Sequence, residues 1–432
     1  MPINLNKRMK RFLVLSFLSA GVSFYAQTVG NSPYAAFGIG DIKYDNTVEN
    51  SAMGGLSTAY ITDYSNSFNF RNPAANKNLR LTTVKFEVSN ENNYLKSGLD
   101  NAEATKHSNY ISNISIAFPL SQKITFGLGY QPYSSKKYDI STLQTEESGT
   151  TIANYFHGEG MINTVQAAVG YQITKEFALG LRSNFYFGNL YDIDEVGSDS
   201  AELINGYSTK NKVQSFNFTL GTTYQKTFED QRKLTVGATY TFGSTGNMET
   251  YYRNSTYYLD ASNEQQNVQV IDEKWSEDKQ LIPSEFSLGA GYGNEFKWFV
   301  GAQYDFRKGE TIQFLGQPFT YNNSSRISAG GWFIPNINNF RNYFSRVTYR
   351  YGAYYEKGNL NINGTDINRY AITGGATFPF QNRSTGRLSS LDLGIEIGKR
   401  GTTDNNLINQ NFVNLKVGIN FGDRWFQKAL YD

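Results

Sequence analysis

Between Phe177 and Gly188 the chain alternates: Phe177, Leu179, Leu181, Phe185 and Phe187 hold one parity with Ser183, and Ala178, Gly180, Arg182, Asn184, Tyr186 and Gly188 the other. A period of two places one set on each face of a β-strand. The pattern recurs with Phe216, Phe218, Leu220 and Tyr224, with Ile124, Phe126, Leu128 and Tyr130, with Leu391, Leu393, Ile395 and Ile397, and with Val413, Leu415, Val417, Ile419 and Phe421. Counted along the chain there are about fourteen such segments, each near the ten or so residues that a tilted strand needs to cross a bilayer. They lie near 82–90, 108–118, 122–132, 160–172, 176–189, 213–226, 232–242, 282–293, 296–306, 325–334, 345–356, 368–380, 389–399 and 411–421.

The links between these segments alternate in length, as they do in an outer-membrane barrel with short periplasmic turns and long external loops. Short links fall around Ser121, Thr174 to Lys175, Asp230 and Asn294 to Glu295. The longest external link, 243–280, has about forty residues, and the periplasmic links around Asn338 and Asn382 are longer than the other periplasmic ones. Tyr130, Tyr171, Tyr224, Tyr240, Tyr292, Trp298, Tyr304 and Tyr355 stand near strand ends, where an amphipathic ring suits the headgroup level. The expectation is an all-β transmembrane antiparallel barrel of about fourteen strands over 82–421.

Lys7, Arg8, Lys10 and Arg11 precede an apolar run from Phe12 to Phe24, with Ala26 before Gln27. This reads as a signal peptide over 1–26 and places the protein in the outer membrane of a Gram-negative bacterium with both termini periplasmic. Phe24 departs from the small residue usual at the third position before a cut. No later run is long and apolar enough for a membrane helix, so strands must do the spanning. High aromatic content, 31 Tyr and 31 Phe, agrees with lipid-facing strands. A net charge of +2 offers no footprint for nucleic acid, and the absence of Cys removes disulfides, thiolate chemistry and a lipidated N-terminal Cys.

Between signal and strands lies SAMGGLSTAYITDYSNSFNFRNPAA, residues 51–75. Its Gly54-Gly55 turn, Asp63 and Asn72-Pro73-Ala74 resemble the N-terminal hatch of the FadL/OmpP1 family of outer-membrane transport proteins. That resemblance implies a hatch over 27–81 folded inside a fourteen-stranded barrel. It also implies passage of hydrophobic, fatty-acid-like compounds past the hatch, with Gly54, Gly55, Asp63, Asn72, Pro73 and Ala74 as gating positions. FadL-like barrels also serve as subunits of secretion (type IX) and β-barrel assembly machines. The alternative to transport is therefore a non-transporting subunit with outer-membrane or periplasmic protein partners. A lateral gap in the wall and an apolar pocket would favour uptake, and a closed lumen with a covered surface would favour a subunit.

Strand parity turns Lys85, Glu87, Arg182, Asp305, Arg346, Arg350, Arg369, Asp392, Glu396 and Lys416 toward the lumen. These charges would pair with one another and with Asp63 and Arg71, or Arg182, Arg346 and Arg350 would bind an acidic lipid. Past Phe421 a tail over 422–432 carries Trp425 and Phe426, which would cap the barrel mouth or dock a partner. The two histidines, His107 and His157, fall in expected loops at the outer rim, outside any nucleophile motif. Catalysis, cofactors and bound metal are accordingly not expected.

Overall fold

The computed structural model describes residues 30–425 except 44–46, 261, 263, 315–316 and 383–386. The expected signal peptide, the first residues of the expected hatch, the link just past Asn382 and Phe426 with the rest of the tail lie outside the described residues. Strand β1 (Asp41–Ile42) belongs to an N-terminal segment that also holds a one-turn helix, Val48–Ser51, and a 3-10 turn, Pro73–Asn76. The wall then runs through β2 (Thr82–Ser97), β3 (Glu103–Pro119), β4 (Ile124–Ser135), β5 (Tyr138–Thr145), β6 (Thr151–Gln172), β7 (Phe177–Ser198) and β8 (Ala201–Thr227). It continues with β9 (Arg232–Thr241), β10 (Ser244–Leu259), β11 (Gln265–Ile282), β12 (Glu285–Asn294) and β13 (Trp298–Arg307). A small hairpin, β14 (Thr311–Phe314) and β15 (Gln317–Thr320), precedes β16 (Ser324–Phe333) and β17 (Thr348–Lys357). A second hairpin, β18 (Asn361–Ile362) and β19 (Thr365–Asp366), precedes β20 (Arg369–Asn382), β21 (Arg387–Arg400) and β22 (Ile408–Asp423).

Every wall strand pairs antiparallel with its neighbours, and β2 pairs with β22 from Thr82↔Asp423 to Ser97↔Ile408, which closes the ring. Taking β4 with β5, β9 with β10 and β11 with β12 as continuous strands, the barrel has 14 strands. Closure gives every wall strand a partner on both sides over at least part of its length. One face carries the lipid belt: Leu179, Leu181 and Phe185 on β7 and Phe216, Phe218 and Leu220 on β8 are exposed, while Arg182, Asn184, Asn217 and Thr219 between them are buried.

Three expectations are corrected. The long external links are largely strand: the 243–280 stretch is the β10–β11 hairpin, paired from Ser244↔Ile282 to Leu259↔Gln265, and β6, β7 and β8 likewise run far past the membrane band. Sequence alternation faded there because the outward face meets water instead of lipid, so polar residues stand on it as well as on the buried inward face, where Thr250, Ser255 and Tyr257 sit. The far end of the barrel therefore rises as a tall wall over β5 to β8, β10 and β11, while β13, β16 and β17 have 10 residues each. Second, His107 lies in β3 and His157 in β6, not in loops. Third, β22 reaches Asp423, two residues beyond the expected end.

Candidate functional site: the filled lumen

The N-terminal segment occupies the lumen and is bonded around the ring. Gly54 N–H donates to Thr373 Oγ1 at 2.9 Å, and the N–H groups of Ser57 and Thr58 both donate to Gln303 Oε1 at 2.9 Å. Arg182 donates to the Phe70 carbonyl at 3.0 Å, and Asn420 to the Asn66 carbonyl at 2.8 Å. Irregular backbone at membrane depth is tolerated because these side chains satisfy it.

The hatch-like motif explains much of this fit. Gly54 and Gly55 have φ of 72° and 95°, and a Cβ on Gly54 would lie 2.7 Å from the Ala353 carbonyl oxygen of the wall. Asn72 Nδ2 donates to Thr58 O at 2.6 Å and to Thr222 O at 3.0 Å, while its Oδ1 accepts from Ala74 N–H at 3.1 Å. Pro73, with no N–H to satisfy, opens the 3-10 turn that follows. Asp63 Oδ2 accepts from Phe296 N–H at 2.9 Å, with Lys233 at 3.6 Å from Oδ1.

The wall makes room through glycines in register. Gly170, Gly180 and Gly221 face one another across β6, β7 and β8, as do Gly237 and Gly289, and Gly330 and Gly352. A side chain at Gly352 would fall onto the Met53 carbonyl. This band was not singled out from the sequence, although recurrence of Gly at one lumen-facing height on neighbouring strands is the signal that marks it.

Ion pairs staple segment to wall. Lys85 pairs with Glu49, Arg71 reaches Glu285 at 3.1 Å and Asp305 at 3.6 Å, and Lys416 donates to Ser51 at 2.6 Å. Arg350 donates to Thr377, which in turn donates to Asp392 at 2.5 Å. Glu396 accepts from Tyr354, from Arg369 at 3.1 Å and from Asn414 at 3.2 Å. Arg346 is a correction: it ends the 3-10 turn Tyr343–Arg346 in the link before β17, and its guanidinium lies 5.3 Å from the Tyr343 ring and 5.6 Å from the Phe340 ring. Parity failed there because β17 begins two residues later.

Among the described residues the wall shows a slit. β3 and β4 pair only from Ile114↔Tyr130 to Pro119↔Thr125, and β4 bulges between Pro132 and Ser134 against β6. Beyond that point β3 leans on β2 alone. β1 lies on the freed edge of β4, paired Asp41↔Ser135 and Ile42↔Ser134, and Lys43 N–H donates to the Tyr133 carbonyl at 2.8 Å. Near it, Tyr133, Ile162, Tyr186, Leu190, Val213, Met248 and Ile282 form an apolar lumen patch. Ile39 of the segment is buried in it, and Ile42, Phe319 and Tyr321 pack against it. A cavity remains toward the end that carries Trp425, walled by Tyr60, Tyr64, Phe68, Leu388 and Arg350. Trp425, the last described residue, is 48% exposed at that end.

A closed antiparallel ring with a lipid-facing belt and a chain segment folded in its lumen defines an outer-membrane-type β-barrel of FadL-like fold. Solved structures similar to it are the toluene transporter TodX of Pseudomonas putida and a FadL homologue of Pseudomonas aeruginosa. The first is 15% identical with a TM-score of 0.59, over 89% of this chain and 99% of that one. The second is 13% identical with a TM-score of 0.58, over 88% and 98%. The toluene transporter TbuX of Ralstonia pickettii is 12% identical with a TM-score of 0.56, over 88% and 99%. At these identities the likeness is one of fold. No curated protein matches the chain. The profile of the BamG family matches residues 8–432, and the chain belongs to that family.

Proposed function

We propose that this barrel is a plugged, non-transporting subunit of an outer-membrane protein assembly machine. In this reading it sits in the outer membrane with both termini in the periplasm and the tall wall outside. The observation that carries it is the occupied lumen: the apolar patch that would receive a hydrophobic solute is filled by Ile39 of the chain's own segment. The remaining lumen is crossed by ion pairs, an unfavourable path for an uncharged hydrocarbon. Membership of the BamG family points the same way. Gly54, Gly55, Asp63, Asn72, Pro73 and Ala74 then act as a lock rather than a gate. The tall wall supplies a partner surface, with Trp275 76% exposed beside Tyr251, ring centres 4.4 Å apart, well above Phe242 of the lipid belt. Trp425 and Phe426 supply a second contact on the periplasmic side.

The slit between β3 and β4 favours a second reading, uptake of a hydrophobic small molecule that leaves sideways through the wall, as the names of the toluene transporters suggest for those proteins. Purification from native membranes in mild detergent, followed by native mass spectrometry, separates the two. A stoichiometric complex with other envelope proteins supports the subunit. A lone barrel that retains a fatty acid or aromatic hydrocarbon overturns it in favour of uptake.

A further inference from the structure

The barrel holds an inward row of charges at the far ends of five consecutive wall strands. Asp305, Arg326, Glu356, Arg369 and Arg400 are successive Cα partners across β13, β16, β17, β20 and β21. Sign alternates along this row until its last pair, where Arg369 and Arg400 stand directly opposite one another. Like charges facing across a ladder are destabilising unless something lies between them.

The chain's own carboxylates pair with each arginine of the row, Arg326 with Glu356 at 3.5 Å among them, yet leave one donor of Arg369 over. Arg400 is held by Asp41 at 2.7 Å, and Arg369 reaches Glu396 at 3.1 Å through one terminal nitrogen. The Arg369 Nε is buried without a hydrogen-bond partner. Beside the pair is a cavity whose walls present Lys43, Arg307, Arg326, Arg369 and Arg400 against the carboxylates of Asp41 and Glu356. Glu91, Glu285 and Glu396, which pair with three of these cations, do not line it. Guanidinium groups converging on one cavity favour an oxyanion that takes several donors at once.

The height of the row narrows the ligand. Its lipid-facing neighbours in sequence are Tyr304, Tyr355 and Tyr370, exposed at 42%, 51% and 51%. A girdle of that kind marks the headgroup level. The cavity is thus level with the phosphates of the surrounding membrane, and Lys43, which spans the slit between β3 and β4, lines it.

We propose that this cavity is an anion site for a phosphate group, coordinated by Arg369 and Arg400 with Arg326 and Lys43 beside them. The phosphate is either the free ion or the headgroup of a lipid. The site is independent of whether the barrel acts alone or in a complex.

The test uses the full mature chain in phosphatidylcholine nanodiscs. One arm titrates inorganic phosphate by calorimetry; the other adds phosphorylated or dephosphorylated lipid A and reads retention by native mass spectrometry. Saturable phosphate binding with a Kd below about 1 mM supports the site with the free ion as ligand. Retention of only the phosphorylated lipid supports it with the headgroup as ligand. Arg369→Gln should weaken whichever binds at least tenfold, with heat-modifiable migration confirming an intact barrel. Asp41→Asn, which frees Arg400, should tighten it several-fold. No binding in either arm, unchanged affinity in R369Q, or unchanged or weaker affinity in D41N overturns the proposal.

Discussion

Lys43 Nζ lies 2.9 Å from Glu91 Oε2 and 5.6 Å from the centre of the Tyr110 ring. A residue whose backbone is hydrogen-bonded to β4 is thereby tied to β2 and β3 across the slit. Lys43→Met leaves the Glu91 carboxylate without its cation, with Tyr110 still donating to it at 2.6 Å. Both partners are 13% exposed, so the loss should approach the range of about 3–5 kcal/mol found on breaking buried pairs. Hydrogen exchange should quicken at Ile42, at position 43 and at Ser135 and stay unchanged in β21 and β22. Equal protection in both regions would show that the pair does not hold the slit.

A second expectation concerns the lumen glycines. Gly352→Val forces the Met53 carbonyl away from the wall, at a cost of roughly 1–3 kcal/mol for overpacking. The barrel should still migrate as heat-modifiable, because the ladder from β16 to β20 is unchanged. Limited proteolysis should begin to cut within 47–79, and a segment as resistant as in the parent would count against close approach as the reason for glycine there.

Asn72→Ala removes both donors that reach the Thr58 and Thr222 carbonyls and the acceptor for the Ala74 N–H. Leaving buried backbone oxygens unsatisfied should cost about 1–3 kcal/mol, read as a lower denaturant midpoint for the loss of segment protection. Asn72→Asp should be worse, since it sets a carboxylate against two carbonyl oxygens.

For the tall wall, Trp275→Ala should leave barrel stability within about 0.5 kcal/mol, because the ring is mostly in solvent. If Trp275 anchors a partner, the same change should weaken that contact by about 2 kcal/mol or more, seen as loss of the partner on purification. Retention at parental stoichiometry would remove this face from the proposed interface.

Much of the wall was legible because the bilayer imposes one rule on every crossing strand: Leu179, Leu181 and Phe185 must face lipid, so Arg182 and Asn184 cannot. Where the bilayer ends, so does the rule. Tyr251, Thr256 and Gln269 sit in a bulged ladder whose outward face meets water instead of lipid, and nothing in their hydropathy distinguishes strand from loop. Arg346 shows the same boundary at the other end, since one misplaced strand start turned a ring-stacked residue of a link into a lumen charge.

Inside the barrel, the hatch-like residues could be recognised but their partners could not. Asn72 and Thr222 meet across 150 residues of chain, and Gln303 finds Ser57 across 246. Periodicity gives the height and facing of a side chain; which stretch of an irregular segment lies opposite depends on the closed ring. The charge row ending in Arg369 and Arg400 was hidden for the same reason, because its members become neighbours only once the register of five strands is known.

The uneven height of the wall also gives the molecule a bearing in the membrane plane. A rim of equal height presents much the same profile to every neighbour. Here a protein approaching along β6 to β11 meets a fence, while one approaching along β13 to β17 meets a low sill over which a bulky domain can lean. Any two proteins packed against such a barrel at different bearings would meet different heights of wall and could not trade places.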